Sequence, residues 1–422
     1  MKALTKIGIG FLSLAAVALG FTSCSSEDVT SGTNQGKMSS LTLTINTGKS
    51  MGSRATDWNT DPAGADKTTT ENKIKRAAIG IFSHSGAVKT IVELTPSATS
   101  TPGTNSLSQT NANKATATIV TSSLVADAGS EDEVLVAINA PSGRFAGCKS
   151  KSDFMAKNET AAEALANSTD AQVADNIPMF GSASLRGSGS SFTADVSVIH
   201  MIAKVSLAEL KVDFKAGSAY ADAEFTPKAV FLINVPNSLQ FNKDNAWTSV
   251  GYEHGWGTFA TDFTYGTTTA NTNAATTFTG SAFAKYLTTT ELTGKTLKGV
   301  AGGSDDTYNQ NVYFYTMPNG QTDGNATKLV IAGTFKATGV SEKVVYYPLF
   351  LNAKVNSTGT GYDPAVTGSD AKKVYPNKNY KCKVVIRNIG AGSPNTDLTP
   401  QAASITINVT DFEEAEQTTE FN

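Results

Sequence analysis

Side chains suited to chemistry are few in this chain and poorly spaced for it. Its three histidines are His84, His200 and His254. None stands in an HExxH or HxH spacing that would turn two imidazoles toward one metal ion. Glu253 adjoins His254, but neighbours on a strand face opposite ways, and the stretch GYEHGWG reads as a loop. No GxSxG elbow, Walker loop or dinucleotide-binding glycine turn is present. The acidic groups SEDE (Ser130–Glu133) and DFEEAE (Asp411–Glu416) read as a solvated turn and a tail, and DPAGAD lacks the ligand spacing of an EF-hand. No residue set offers a nucleophile, a base and an orienting group together, so the sequence points to no enzyme, no cofactor and no metal site. With 17% charged residues and a formal net charge of -3, it has no basic field for nucleic acid either.

The three cysteines divide by context. Lys2 and Lys6 precede the apolar run IGIGFLSLAAVALGF, which is short for a spanning helix and ends in FTSC. Residues 1–23 therefore read as a lipoprotein signal peptide, with Cys24 the lipidated first residue of an exported bacterial envelope protein. A plain secretory signal cut nearby is the alternative. Cys382 lies in YKCKVVIR, sharing a face with Tyr380, Val384 and Ile386, and reads as a small core residue. Lys381, Lys383 and Arg387 fall on the opposite face. Pairing of Cys148 with Cys382 stays open, since two cysteines make no framework.

The elements that would hold any site are strands. Short β-branched runs recur between turn-rich segments: SLTLTIN, IKRAAIGIF, VKTIVEL, ATATIVTSSLV and EVLVAIN, then AVFLINV, NVYFYTM, KLVIAGTF, KVVYYPLFL, YKCKVVIRNIG and SITINVT. FTADVSVIHMIAKVSLAEL is too β-branched for a helix and reads as long or consecutive strands. One helix is expected at SDFMAKNETAAEALANS, capped by Ser152 or Asp153. Phe241 to Thr290 reads as a large loop or extra small strands, carrying Trp247 and Trp256, whose rings either pack the loop or stack on sugars. A chain of 422 residues exceeds one ordinary domain. The expected architecture is all-β: two tandem β-sandwich domains, at 55–203 and 204–422, after a lipidated propeptide at 24–54 that carries the first strand.

The two ends match. Leu41, Leu43 and Ile45 alternate with Thr in the first strand, and Ile405, Ile407 and Val409 alternate with Thr or Asn in the last. Between the first strand and the body lies a small-residue segment containing Arg54 and Ala55, the kind of exposed stretch that proteases cut. A cut there would detach the strand, together with the lipid on Cys24. A strand from a second molecule could then fill the vacated groove, with Phe412 as a further anchor in the tail.

The lipobox FTSCSSED, then NIPMFG (Asn176–Gly181), AKVSL, FYTMPN and VYPNKNYKCKVVIRNIG follow one another in an order that resembles the fimbrillin family of Bacteroidetes, over nearly the whole chain. The resemblance implies that the two domains are transthyretin-like Greek-key sandwiches. It further implies a precursor held in the outer membrane by acyl chains such as palmitate on Cys24. An arginine-specific surface protease would cleave Arg54–Ala55, and the C-terminal strand of a neighbouring subunit would replace the lost strand. The implied role is a shaft pilin of a cell-surface fimbria, partnered by other copies of itself and accessory fimbrial subunits. The alternative is a tip adhesin or glycan-binding surface lipoprotein, meeting a host protein or glycan through Trp247 and Trp256.

Overall fold

The computed structural model describes residues 38–47, 70–99, 101, 103–111, 113–166, 172–214, 218–242, 251–255, 281–288, 295–299, 307–308, 312–358, 361–366, 368–394, 396–398 and 403–411. Strands dominate, as the β-branched runs require. In chain order the first thirteen are β1 Met38–Asn46, β2 Ala77–Phe82, β3 Val88–Leu94, β4 Ser106–Asn111, β5 Lys114–Ser122, β6 Glu133–Ile138, β7 Asn158–Thr160, β8 Met179–Ser184, β9 Arg186–Ser188, β10 Ser191–Ser197, β11 Ile199–His200, β12 Ala203–Val212 and β13 Glu224–Ile233. The main strands after these are Val312–Thr316, Lys328–Ala337, Val340–Phe350, Lys378–Ile386 and the terminal strand Ala403–Asp411. Among the described residues no helix is long and apolar enough to cross a membrane.

Four larger sheets result. The first has the order β4-β5-β1-β10-β9 and the second β11-β8-β6-β2-β3. Their facing side chains form one core, in which Leu41, Leu43, Ile45, Ala117, Ile119 and Val196 of the first sheet meet Ile79, Ile81, Val134, Val136 and Ile138 of the second. The strict alternation of β10, exposed and buried in turn, is what a sheet with one wet face demands. β2 is buried at every position, because its other face is covered as well. There Ala78, Phe82 and Leu135 pack with Phe145 and Phe154. Gly80 is needed at that crossing: a Cβ on it would lie 2.6 Å from a ring carbon of Phe82 and 3.2 Å from one of Phe154.

The third sheet joins β12, Lys378–Ile386 and the terminal strand, with Val312–Thr316 on the far side of β12. The fourth runs from β13 through Lys328–Ala337 to Val340–Phe350 at its edge. Val205, Leu207, Tyr380, Cys382 and Val384 of the third meet Phe225, Leu232, Ile331, Phe335 and Tyr347 of the fourth in a common core. The protein is thus an all-β fold of packed sheets.

Two expectations need correction. The single helix after Ser152 is two five-residue helices, Lys151–Met155 and Ala161–Leu165, separated by β7. Ser150 caps the first of them, by accepting from the Asp153 backbone N–H. β7 is extended because it pairs with Ser238–Gln240, and Thr160 then caps the second helix in a reciprocal box with Glu163. His254 is not in a loop but ends the short strand Tyr252–His254, and it is buried. Lys381 lies on the strand face opposite Cys382 as expected, and it is buried there. Cys382 is a core residue as expected, and both it and Cys148 are free thiols.

Candidate functional site: the first strand and its groove

β1 has backbone partners along both edges. It runs antiparallel to β5 in register from Met38↔Ser122 to Asn46↔Lys114, and parallel to β10 from Ser40↔Ser191 to Asn46↔Ser197. Further bonds close its ends: Ser40 N–H donates to Ser190 O at 2.8 Å, Val198 N–H to Asn46 O at 2.9 Å and Thr47 N–H to Asn113 O at 3.1 Å. Leu41, Leu43 and Ile45 are each 0% exposed, whereas Thr42 faces solvent. The groove they fill is narrow in side-chain volume. Leu41 lies between Ile119 and Phe192, Leu43 between Ala117 and Ala194, and Ile45 between Ala115 and Val196. Those alanines leave room for branched residues at the two inner positions.

The terminal strand is placed differently. Among the described residues it pairs with Lys378–Ile386 alone, antiparallel from Lys378↔Asp411 to Ile386↔Ala403, and forms the edge of its sheet. The register sets Ile405 opposite Val384, Ile407 opposite Cys382 and Val409 opposite Tyr380. The two ends of the chain therefore occupy separate sheets, one internal and one peripheral.

Where the body resumes after β1, at residues 71–75, it is tightly held. The Glu71 carboxylate, 5% exposed, receives Tyr315 Oη at 2.5 Å and Lys204 Nζ at 3.2 Å. Lys204 also lies 4.8 Å from the Tyr313 ring centroid, a cation–π contact. Nε2 of His200 sits 3.3 Å from the Glu71 carbonyl oxygen, and its Nδ1 sits 3.3 Å from Asn377 Oδ1. Burial holds His200 below the usual imidazole pKa, against the opposing pull of Glu71. Asn139, in the left-handed region at φ 60°, accepts from Lys75 N–H at 2.8 Å and donates to Lys73 O and Ile177 O at 2.9 Å each. The first strand is thus joined to this anchored point by residues 48–69, which include Arg54 and Ala55.

Sequence reasoning missed this anchor. Glu71 had no signal of its own, and His200 read as an ordinary histidine. Cys24, Arg54, Ala55, Phe412, Trp247 and Trp256 lie outside the described residues. Among the described residues no three His, Cys, Asp or Glu side chains gather as a metal site. Glu253 is pushed up to about 7 by burial.

No family model and no curated protein matches the chain. Solved structures do share its fold. A protein from Bacteroides eggerthii described as a cell adhesion protein superposes with a TM-score of 0.53 at 17% identity, over 90% of this chain and 98% of that one. A second such protein, from Parabacteroides distasonis, gives 0.56 at 13% identity, over 90% and 99%. A fimbrilin from Porphyromonas gingivalis gives 0.53 at 16% identity, over 88% of this chain and 97% of its own. This is the fold of a solved fimbrilin. Coverage near the full length of both chains means that the fimbrilin fold accounts for the paired sheets as a whole, not for one isolated sandwich.

Proposed function

We propose that this chain is a structural pilin, the shaft subunit of a cell-surface fimbria, assembled by exchanging its first strand for the terminal strand of a neighbour. The observation that carries this reading is the placement of β1. It is an internal strand with a buried apolar face, and its covalent link to the rest of the fold runs through the segment containing Arg54. The fimbrilin and cell adhesion proteins that share the fold support the same role.

In this reading Cys24 carries the acyl anchor that holds the precursor in the outer membrane. A surface protease with arginine specificity cuts Arg54–Ala55, and 55–203 and 204–422 persist as the two sandwiches of the mature subunit. Loss of β1 leaves β5 and β10 with unpaired edges and uncovers Ile119, Ala117, Ala194 and Val196. Such a groove invites strand addition. Ser404–Thr410 of a second copy matches Ser40–Asn46 position by position, with Ile405, Ile407 and Val409 taking the places of Leu41, Leu43 and Ile45. Burying three aliphatic side chains contributes about 5–9 kcal/mol before ordering costs, and the backbone ladder adds to it. Accessory subunits would join through the same groove.

The test is Arg54→Ala in cells that make the fimbria. Surface material should change from denaturant-resistant ladders to lipidated monomers, and wild-type subunits should begin at Ala55. Normal ladders from the variant would sink the mechanism.

A further inference from the structure

The chain between Lys378–Ile386 and the terminal strand is long for a link between paired neighbours. It does not turn back at once: it is held first beside the end of β12 in its own sheet and then along the opposite sheet. Arg387 Nε meets Asp213 Oδ2 at 3.0 Å, and Tyr347 Oη donates to Asn388 O at 2.9 Å. Tyr346 and Ala391 then exchange both backbone hydrogen bonds, each 2.9 Å, along the outer edge of Val340–Phe350. Gly390 permits that approach, since a Cβ on it would lie 2.7 Å from Tyr346 O. Ile389 and Leu398 pack against the core, and Pro394 is buried. Asp397 Oδ1 ends the series, 2.6 Å from Nζ of Lys328, whose side chain is 1% exposed and lies over the Phe350 ring.

We infer that residues 387–394 and 396–397 belong to a fixed strap that stays on its own subunit during assembly, and that the Lys328–Asp397 pair is the pivot from which the terminal strand is delivered. The inference rests on the strand-exchange reading above and adds which part of the chain moves. Energetics separate the two parts. The terminal strand has one backbone neighbour to give up, and the acceptor groove offers it two. Lifting the strap would uncover the edge of Val340–Phe350 and part the buried Lys328 ammonium from the exposed Asp397 carboxylate. The consequence is a short reach. Five residues separate Asp397 from Ala403, so the donor strand must begin within about 20 Å of the pivot. If the strap left as well, the limit would rise to about 60 Å.

Two disulfide locks separate the possibilities. Opposed residues on antiparallel strands stand about 4.5–5.5 Å apart at Cα, within disulfide range. Ile407→Cys places a thiol opposite the free Cys382 and ties the terminal strand down. Tyr346→Cys with Ala391→Cys ties only the strap. Oxidised Ile407→Cys should remain monomeric after cleavage and recover polymerisation on reduction, while the oxidised strap lock should polymerise as its reduced form does. If the strap lock blocks assembly until reduced, the strap has to leave and the inference is overturned, with strand exchange intact. If the Ile407→Cys lock polymerises while oxidised, strand exchange itself fails and the inference falls with it. Hydrogen exchange on wild-type protein needs no variant. The Ala391 and Tyr346 amides should be equally protected in precursor and polymer, and loss of protection at Ala391 in the polymer would also overturn the strap.

Discussion

The first and terminal strands read almost alike in sequence and differ in almost everything the fold does with them. Ser40–Asn46 and Ser404–Thr410 share the same alternation of aliphatic and hydroxyl or amide residues. β1 lies inside a sheet with neighbours on both sides and its three aliphatic residues fully buried. The terminal strand lies at an edge with one neighbour. Losing an internal strand exposes two edges and part of a core, so it demands a replacement. Losing an edge strand moves an existing edge inward by one. In the proposed assembly the contrast gives a direction: β1 would be the strand removed and the terminal strand the one given.

The largest test of that contrast is truncation inside β1. Leu43→Ala should cost the uncleaved precursor about 2–5 kcal/mol, read as a lowered urea midpoint. The same substitution should leave the mature polymer unchanged, because the proposed cleavage after Arg54 removes residue 43. Ile407→Ala should invert the pattern, weakening the polymer's resistance to denaturant while moving the precursor less. Equal effects of the two substitutions on precursor and polymer would erase the distinction.

A smaller effect concerns the anchor at Glu71. Burial holds the folded pKa of His200 below the ordinary imidazole value, so the unfolded chain takes up its proton first as pH falls. Its contribution to stability is complete above the unfolded value and is lost as pH falls from there through the lower folded value. Urea midpoints should decline from pH 7 to pH 5, and His200→Gln should flatten that slope. An unchanged slope would remove His200 from the account. The smallest effect is Thr42→Ala on the exposed face of β1, which should change precursor stability by no more than about 0.5 kcal/mol.

Much of this was legible in advance. Alternation in β5 and β10, continuous apolar runs in β2 and β6, and the aliphatic face of YKCKVVIR each announced a strand and the side it would bury. The helix after Ser150 was misread because β7 takes its conformation from Ser238–Gln240, a partner some eighty residues further along the chain. Glu71 and Lys204 carried no pattern at all. Their meeting is made by strands brought together from distant parts of the chain.

The sequence by itself determined that β1 and the terminal strand are interchangeable in kind, because side-chain alternation is a local property written residue by residue. Only the tertiary structure decided that one is internal and the other peripheral. Which neighbours a strand acquires depends on how the sheets close, and that is settled by contacts between residues distant in sequence, such as Ser40 and Ser191.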